Sequence, residues 1–413
     1  MRRILFACCL AMTFALAGGC AGTEERVQGW GVSPYPLVVE PQPDHIYHLP
    51  TGLKIARDGF MDMISTADIV YVGETHSNVH AHRVQLEILR ELHKRFPGKV
   101  AISMEMFRVP QQESLDRWTK GELEELQFLK ESKWFKNWGS DFGYYRDILE
   151  FARDNRIDVV ALKPSGELQK QFGRAAAGGG ELPPELAAQL PDMGEIDPFQ
   201  ERSIRAIYAG HSGGGDMLNS FLKVQLLWEE TMASRIVEYL DGERGRGKKM
   251  VVITGAGHVQ HGYGVPKKVL RRKPLSYVIV LPNAISIPEE KRESLTMDVT
   301  VPDIPLLAGD FLWLVSYEDL EDDRVRLGVL MDPSDEGIYV KSAFGEMPAA
   351  KAGIRDGDRL VSIDGLTVEE MSDVILVVRS KKPGDDITVV VEREGEELMF
   401  VPRFPERPAV EDK

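Results

Sequence analysis

The sequence predicts an α/β domain with a mostly parallel sheet flanked by helices, followed by a small β-rich domain. Up to Ser316, short apolar runs rich in valine and isoleucine alternate with amphipathic segments of helical periodicity. Beyond Ser316, short strands and tight turns recur at regular intervals, which is typical of a separate small domain.

The elements of the first domain follow from these patterns in chain order. The predicted strands, apolar throughout as in a sheet buried on both faces, are Asp68–Gly73, Lys99–Glu105, Ile157–Leu162, Met250–Thr254, Tyr277–Leu281 and Phe311–Val315. The predicted helices are Val79–Phe96, Gln111–Thr119, Glu122–Leu129, Tyr144–Asn155, Asp216–Leu240 and Val265–Leu270. Residues 20–50 are predicted to be a tether, residues 178–191 an excursion with short helices at most, and residues 282–305 a long loop.

Composition limits the classes of partner. The chain has 413 residues, of which 43% are hydrophobic and 28% charged, as is ordinary for globular protein. Its formal net charge of -15 argues against nucleic-acid binding, because attraction to phosphate needs a basic face.

The first residues have the pattern of a secretory signal. Arg2 and Arg3 precede one apolar run, and small residues lead to Cys20, which predicts a lipoprotein signal peptide over residues 1–19 and a lipidated Cys20. The alternative is an ordinary signal peptide with an incidental cysteine. All three cysteines, Cys8, Cys9 and Cys20, lie here, so the mature chain is expected to lack disulfides and to be held on a membrane by its lipid anchor.

Two predicted strands end in the same motif, Gly-x-x-His. One is Gly73-Glu-Thr-His76 and the other is Gly255-Ala-Gly-His258, while a third strand ends at Glu105. Because the carboxyl ends of parallel strands meet at one edge of a sheet, these side chains are expected to share a site.

The residue types at this edge leave several chemistries open. Carboxylates and imidazoles could bind Zn or Mn with a position left for activated water, the candidate ligands being Glu74, His76, Glu105 and His258. In that case Glu74 or Glu105 would be the catalytic general base of a hydrolase. The alternative for each residue is a supporting hydrogen bond or a polar cap on a turn. His82 and Gln85, spaced i,i+3 on the first long helix, could face the same crevice or solvent.

Residues spread along the first domain match a known family in order and spacing. The matching positions are Gly73-Glu-Thr-His76, His82-Arg-Val-Gln85, Met104-Glu-Met-Phe107, Trp138 with Tyr145, His211, Gln225 and Gly255-Ala-Gly-His258. With them, residues 51–317 resemble the ChaN-like haem-binding lipoprotein family of the Tiki superfamily. This resemblance implies an α/β domain that binds haem in iron uptake at the outer membrane. Distant relatives include metal-dependent proteases and esterases.

The sequence departs from the family pattern at two places. Ser-Gly-Gly-Gly follows His211 where the family usually has a cysteine, and Ala256 stands where asparagine is common.

Haem iron accepts imidazole nitrogen or tyrosinate oxygen. The candidate ligands are Tyr145, His76, His82, His211, His258 and His261. The alternative for Tyr145 is a core aromatic residue whose hydroxyl is bonded within the protein.

The second domain contains the run Ala349-Ala-Lys-Ala-Gly-Ile-Arg-Asp-Gly-Asp-Arg-Leu-Val-Ser-Ile-Asp-Gly365. With it, residues 318–406 resemble a bacterial-type PDZ domain, followed by a tail at 407–413. The resemblance implies that backbone N–H groups of Leu327, Gly328 and Val329 capture the carboxylate of a peptide C-terminus, while the strand beginning at Val329 pairs with the peptide. The alternative is that the groove is filled from within the same chain.

Together these observations predict a haem-binding lipoprotein of the bacterial cell envelope, anchored in the outer membrane and facing the periplasm, that serves haem or iron uptake or transfer. The PDZ module would recruit a peptide C-terminus. A binding protein is expected rather than an enzyme, and oligomerisation is compatible with this function. The alternatives are a metal-dependent hydrolase and a scaffold in which the PDZ module is the active part.

Overall fold

The computed structural model describes residues 5–7, 35, 37, 39–209, 215–298, 304–321 and 324–406. These residues form two compact units. The first is drawn from Met1–Glu122 and Asp141–Leu320, and the second from Leu123–Ser140 and Glu321–Lys413. The second unit therefore includes a segment from the middle of the range 51–317, which the sequence assigns to the first domain.

The described strands of the first unit are β1 (Leu5–Ala7), β2 (Ile46–His48), β3 (Leu53–Ile55), β4 (Ile69–Glu74), β5 (Val100–Arg108), β6 (Val159–Lys163), β7 (Lys249–Gly255), β8 (Tyr277–Ser286), β9 (Thr296–Asp298) and β10 (Phe311–Ser316). β1 and β9 pair with each other, and the rest form a sheet in the order β3-β2-β10-β8-β4-β7-β5-β6. All neighbours from β10 to β6 are parallel, and β2 and β3 are antiparallel additions at one edge. The mostly parallel sheet that the sequence predicts is confirmed.

The described helices of the chain are α1 (Arg57–Ile64), α2 (Val79–Arg95), α3 (Gln112–Thr119), α4 (Glu125–Glu131), α5 (Trp134–Asn137), α6 (Arg146–Asp154), α7 (Gly166–Ala176), α8 (Pro184–Ala187), α9 (Pro198–Ala209), α10 (Gly215–Asp241), α11 (Val265–Arg272), α12 (Glu289–Leu295), α13 (Pro348–Ala352) and α14 (Met371–Arg379). Of these, α4, α5, α13 and α14 belong to the second unit. Within the described part of the chain, none of the helices combines the length and the apolar character that crossing a membrane requires.

Two segments differ from the prediction, and the excursion at residues 178–191 agrees with it. The expected tether contains β2, in which Ile46 and Tyr47 are buried against β10. The sequence did not indicate this strand because three residues are too few to show a periodicity. The expected excursion contains only α8, but it is flanked by the longer helices α7 and α9; the latter begins at Pro198, which the first position of a helix tolerates. In the expected loop, β8 continues to Ser286 and α12 follows.

The parallel strands bring three carboxyl ends together. Every residue of β4 is buried. Met232 of α10 and Val265 of α11 pack in the same core cluster as Tyr71, and α2 also contacts β4. β7 lies between β4 and β5, and Glu74 of β4 is in register with Gly255 of β7. The ends of β4, β7 and β5 therefore lie side by side, as the sequence predicts.

The second unit has a sheet of its own. It consists of β11 (Val329–Ser334), β12 (Gly337–Ala343), β13 (Arg359–Ile363), β14 (Leu366–Thr367), β15 (Val389–Arg393) and β16 (Glu396–Phe400). All pairings are antiparallel, and the order β11-β12-β13-β15-β16 leaves β11 at an edge. Val374 and Val377 of α14 pack into the core of this sheet with Leu360. The prediction of a β-rich second domain is confirmed.

We expect Gly73→Ala to destabilise the first unit. A Cβ at Gly73 would lie 2.9 Å from the Cα of Ala256 and 2.9 Å from Cδ2 of Leu281, so the two strand-end motifs would have to move apart. The expected loss is about 1–3 kcal/mol in the free energy of unfolding, measured by urea denaturation.

The matched control is Gly257→Ala in the second motif, where a Cβ would meet nothing within 4 Å. Equal stability of the two variants would contradict the close packing of β4 against the turn after β7.

Candidate functional site

Three buried carboxylates lie where the strand ends meet. Glu74 ends β4, Glu105 lies in β5 and Glu229 lies in α10, and each is almost entirely shielded from solvent. Burying an ionised carboxylate is costly unless cations and hydrogen-bond donors surround it. The partners of these three groups therefore define the site.

Glu74 accepts three hydrogen bonds. The hydroxyl of Tyr145 donates over 2.6 Å, Nε2 of Gln85 over 2.6 Å and Nδ1 of His76 over 2.7 Å. Burial alone would raise the pKa of Glu74, but the charge of His82 and the hydrogen bonds from His76 and Tyr145 outweigh burial and hold this pKa below its ordinary value. Glu74 is therefore a carboxylate at neutral pH.

His82 supports this arrangement from α2. Its Nε2 lies 3.1 Å from the carbonyl oxygen of His76 and its Nδ1 lies 3.0 Å from Oε1 of Gln85. Its ring centroid lies 4.6 Å from that of Tyr145, edge to face. His82 and Gln85 are thus buried against the network, and the alternative of a solvated helix face is wrong for both.

Glu105 is held from β7 and from the turn after it. Its Oε2 accepts hydrogen bonds from the hydroxyl of Thr254 over 2.7 Å and from the N–H of Gly255 over 2.8 Å, and its Oε1 lies 3.6 Å from Nε2 of His258. Burial would raise the pKa of Glu105, but the charge and hydrogen bond of His258, with the charge of His76, hold it well below its ordinary range. Carboxylates so stabilised are weak general bases.

His258 lies between two carboxylates. Its Nδ1 is 3.2 Å from Glu229 and 3.0 Å from Nε2 of Gln225. Burial lowers the pKa of His258, but Glu105 and Glu229 together raise it to about 10, so the ring is an imidazolium at neutral pH. His258 therefore balances the charge of the two carboxylates that flank it.

Glu229 extends the network to two further helices. It accepts hydrogen bonds from Nζ of Lys268 over 2.8 Å and from Nε2 of Gln200 over 2.7 Å. The sequence did not identify Glu229, Lys268 or Gln200 as site residues. The only signal was the i,i+4 spacing of Gln225 and Glu229, which is equally common on solvated helix faces.

His76 is the most exposed of the network's histidines. Its side chain is 39% exposed, compared with 5% for His82 and 10% for His258. Since Nδ1 is bound to Glu74, Nε2 is the nitrogen that can ligate a metal. Burial lowers the pKa of His76, but the hydrogen bond that it donates to Glu74 and the charges of Glu105 and Glu74 raise this pKa overall.

The second Gly-x-x-His motif makes room for this imidazole. A Cβ at Gly255 would lie 3.1 Å from Cε1 and 3.2 Å from Nε2 of His76. A side chain at that position would press on the ring of His76. The two motifs therefore meet, one supplying the imidazole and the other the space beside it.

The other candidate ligands are placed differently. Tyr145 is fully buried, and its hydroxyl donates a hydrogen bond to the carboxylate of Glu74. This placement matches the alternative of a core aromatic residue. His261 lies in a separate turn with Nδ1 3.0 Å from the carbonyl oxygen of Leu306. His211 and Cys20 lie outside the described residues.

The proposed metal ligands form two ion pairs instead of one cage. Glu74 pairs with His76, and Glu105 faces His258. Across the residues that the structure describes, no three His, Cys, Asp or Glu side chains are grouped so that they could hold a metal ion.

An apolar surface begins next to the network. Gln225 of α10 contacts His258, and Phe221, one turn earlier on the same helix, is 44% exposed. Met217, a further turn away, is 64% exposed, and the ring of Tyr208 lies 5.5 Å from that of Phe221. This exposed stretch of α10 could form the wall of a site for a flat apolar ligand.

The predicted carboxylate loop of the second unit is held from within that unit. The N–H of Ala349 donates to the carbonyl of Leu327 over 3.0 Å, and the N–H of Phe344 donates to that of Gly328 over 2.9 Å. On the edge strand β11, Leu330 is exposed. The edge of β11 is thus suited to strand addition by a peptide.

Fold and site together define an α/β ligand-binding protein with a peptide-binding module. The profile of the family described as haem-binding uptake, Tiki superfamily, ChaN matches residues 60–269, and a PDZ-domain profile matches residues 325–401. Since the first match covers half of the chain, the protein belongs to the ChaN family of the Tiki superfamily and carries a PDZ domain.

The chain is also similar to individual proteins, and one solved structure among them shows the same fold. The structure of ChaN from Campylobacter jejuni, described as binding haem cofacially, aligns with a TM-score of 0.50 and 16% identity over 65% of this chain and 95% of that chain. A provisionally named zinc metalloprotease of Mesorhizobium japonicum is 49% identical over 59 residues, which are 14% of this chain and 16% of that protein. The chloroplastic protein RETICULATA-RELATED 5 of Arabidopsis thaliana is 25% identical over 269 residues, 61% of this chain and 34% of that protein. The chain thus spans a minor part of both of these proteins' lengths.

We expect the charge of His258 to make stability depend on alkaline pH. A histidine whose pKa rises from about 6.5 to about 10 on folding contributes stability that is complete below about pH 6.5 and is lost as pH rises toward 10. Between pH 7 and 10 the free energy of unfolding should fall by ~2–4 kcal/mol more in the wild type than in His258→Gln, measured by urea denaturation.

Titration of other groups is common to both proteins and cancels in the difference. Parallel pH profiles for the wild type and the variant would contradict the buried imidazolium.

Proposed function

We propose that the α/β domain binds haem in the crevice above the ends of β4, β7 and β5, with Nε2 of His76 as an iron ligand. The observation that carries this proposal is the pairing of an exposed imidazole with a buried carboxylate. A histidine that ligates a metal almost always donates its other ring N–H to such a group, which fixes the tautomer and the ring orientation. The 2.7 Å contact between Nδ1 of His76 and Glu74 has this form.

An exposed aromatic stretch next to the buried network supports a porphyrin as the ligand. Besides an axial ligand, haem requires apolar walls for its ring and its vinyl edges. The exposed aromatic stretch of α10 at Phe221 lies one turn from Gln225, which contacts the buried network through His258. Membership of a family described as haem-binding supports the same ligand.

Tyr145 has a different role in this proposal. Its hydroxyl donates a hydrogen bond to Glu74, the carboxylate that holds His76, so Tyr145 helps to orient the imidazole of His76. Burial of the phenol ring against His82 restrains the same group. Tyr145 is among the candidate ligands that the family resemblance implies, and the exposure of His76 together with the burial of Tyr145 supports the choice of His76.

Haem bound here would be cargo for uptake or transfer at the cell envelope, with Cys20 as the lipid anchor. The basic and apolar pattern of residues 1–19 supports the export and anchoring steps. The PDZ domain would bind a peptide C-terminus on the edge of β11 and so bring the haem-binding domain to a partner protein.

A haemin titration of the chain beginning at Cys20 tests this function. The wild type is expected to develop a Soret band at micromolar haemin with a defined stoichiometry. His76→Ala should weaken binding by at least about tenfold, and Glu74→Gln by about tenfold, because the imidazole loses its orienting partner.

His261→Ala is the matched control, since this histidine lies in a separate turn and should leave the spectrum unchanged. A Soret change that survives His76→Ala but disappears in His261→Ala or Tyr145→Phe would contradict the assignment. The absence of any haemin binding would refute the proposed function.

A further inference from the structure

A short segment after β10 contacts the loop that follows His76. We define the strap as residues 317–320, all of which belong to the first unit. The N–H of Tyr317 donates to the carbonyl of Ser286, at the end of β8, over 2.9 Å, and its hydroxyl donates to that of Ser77 over 3.2 Å. The strap is therefore tied both to the sheet and to the residue next to His76.

The backbone of Glu318 holds the start of α2. Its carbonyl accepts the N–H of Val79 over 2.8 Å, and its own N–H donates to Oδ1 of Asn78 over 3.2 Å. Asn78 is almost fully buried and is the N-cap of α2, where the same Oδ1 accepts the N–H of His80 over 3.1 Å. Since the first N–H groups of a helix have no partner within it, the strap supplies part of the cap. The loop between β4 and α2 is therefore fixed by the strap.

The side chain of Glu318 adds a charged contact to the same turn. It pairs with His80 and with Arg83, whose Nη2 lies 3.2 Å from Oε1. The side chain of Glu318 is 46% exposed, so solvent screens these ion pairs and they contribute little free energy. The backbone bonds of Glu318 and the side chain of Asn78 therefore carry the attachment on this side of the strap.

Asp319 holds the turn that precedes Tyr145. Its Oδ1 accepts a hydrogen bond from the hydroxyl of Tyr144, and Nζ of Lys291 lies 2.6 Å from its Oδ2. Burial would raise the pKa of Asp319, but the hydrogen bonds from Lys291 and Tyr144 outweigh burial and hold this pKa below its ordinary value. Asp319 is therefore a carboxylate at neutral pH, bound to the neighbour of Tyr145.

Tyr144 also connects the strap to His76 through the ring of His82. The ring centroids of Tyr144 and His82 lie 5.5 Å apart, and Nε2 of His82 lies 3.1 Å from the carbonyl oxygen of His76. The strap ends in close contact with the same turn, because a Cβ at Gly143 would lie 3.1 Å from Cδ1 of Leu320. The strap therefore binds one segment next to His76 and another next to Tyr145.

We propose that the strap sets the relative position of these two segments and thereby positions His76 as the haem ligand. This inference rests on the proposed function for its haem readout. His76 and Tyr145 donate to the same oxygen of Glu74, Oε1, over 2.7 and 2.6 Å. Donors from two separate segments reach one oxygen only while both segments keep their places. Asp319 is the positioning residue on the side of Tyr145, and Asn78 is the positioning residue on the side of His76.

A double-mutant cycle on the chain beginning at Cys20 tests the strap. Asp319→Ala and Tyr144→Phe each remove the bond between the strap and the turn, and each should weaken haemin binding by about fivefold, the net worth of one hydrogen bond. The double variant should bind no more weakly than either single variant, because both substitutions remove the same contact. The Soret maximum should shift in all three, because the imidazole meets the iron in a changed orientation.

Two further variants separate positioning from stability. Asp319→Asn keeps an oxygen that can accept from Tyr144, so it should restore haemin affinity and the wild-type spectrum. Glu238→Ala is the matched control: it removes a carboxylate that is 53% exposed and bonded only to Ser234 and Arg235 of its own helix, and it should leave both unchanged. Circular dichroism checks folding; if Asp319→Ala does not fold, Tyr144→Phe carries the test.

Hydrogen exchange without haemin gives the readout that is independent of the ligand. The amides of Asn78 and Tyr145, which donate to the carbonyls of Thr75 and Phe142, should both exchange faster in Tyr144→Phe than in the wild type. Faster exchange at Tyr145 alone, or a lower urea midpoint with haemin affinity and spectrum unchanged, would overturn the proposal. If the wild type binds no haemin, the proposed function fails, and the exchange at Asn78 still decides whether the strap links the two segments.

Discussion

The burial of Glu74 is the constraint on which the rest of the site depends. An ionised carboxylate without solvent costs several kcal/mol unless its oxygens are bonded. Its donors come from three different places: His76 in the loop after β4, Gln85 in α2 and Tyr145 before α6. Satisfying one carboxylate therefore fixes two helices against the end of the central strand. The orientation of His76 is a consequence of that requirement.

The remaining buried charges alternate in sign across the sheet edge. Glu105, His258, Glu229 and Lys268 form a chain in which each cation lies within ion-pair distance of its neighbouring carboxylates. These groups stabilise one another, which explains why His258 is held as an imidazolium. His76, at the edge of the same network, keeps a large exposed surface. The network is therefore the scaffold, and the exposed imidazole is the part that can meet a ligand.

Much of this architecture could be predicted from sequence, and the exceptions have physical reasons. β4, β5 and β7 were predictable because strands buried on both faces are apolar throughout, and their ends located Glu74, Glu105 and both motif histidines. Glu229 and Lys268 were missed because charged residues on helices usually indicate a solvated face. The choice of His76 over Tyr145 depends on which side chain reaches the surface. Residues 123–140 have an ordinary helical pattern, and only tertiary packing assigns them to the second unit.

His76, oriented by Glu74, is the proposed ligand of haem iron. The most direct test is a crystal structure of the protein loaded with haemin, with the iron located by its anomalous scattering. Iron should lie within bonding distance of Nε2 of His76, with the Nδ1 contact to Glu74 retained. Iron bound to the oxygen of Tyr145, or to His261 with His76 turned away, would contradict it.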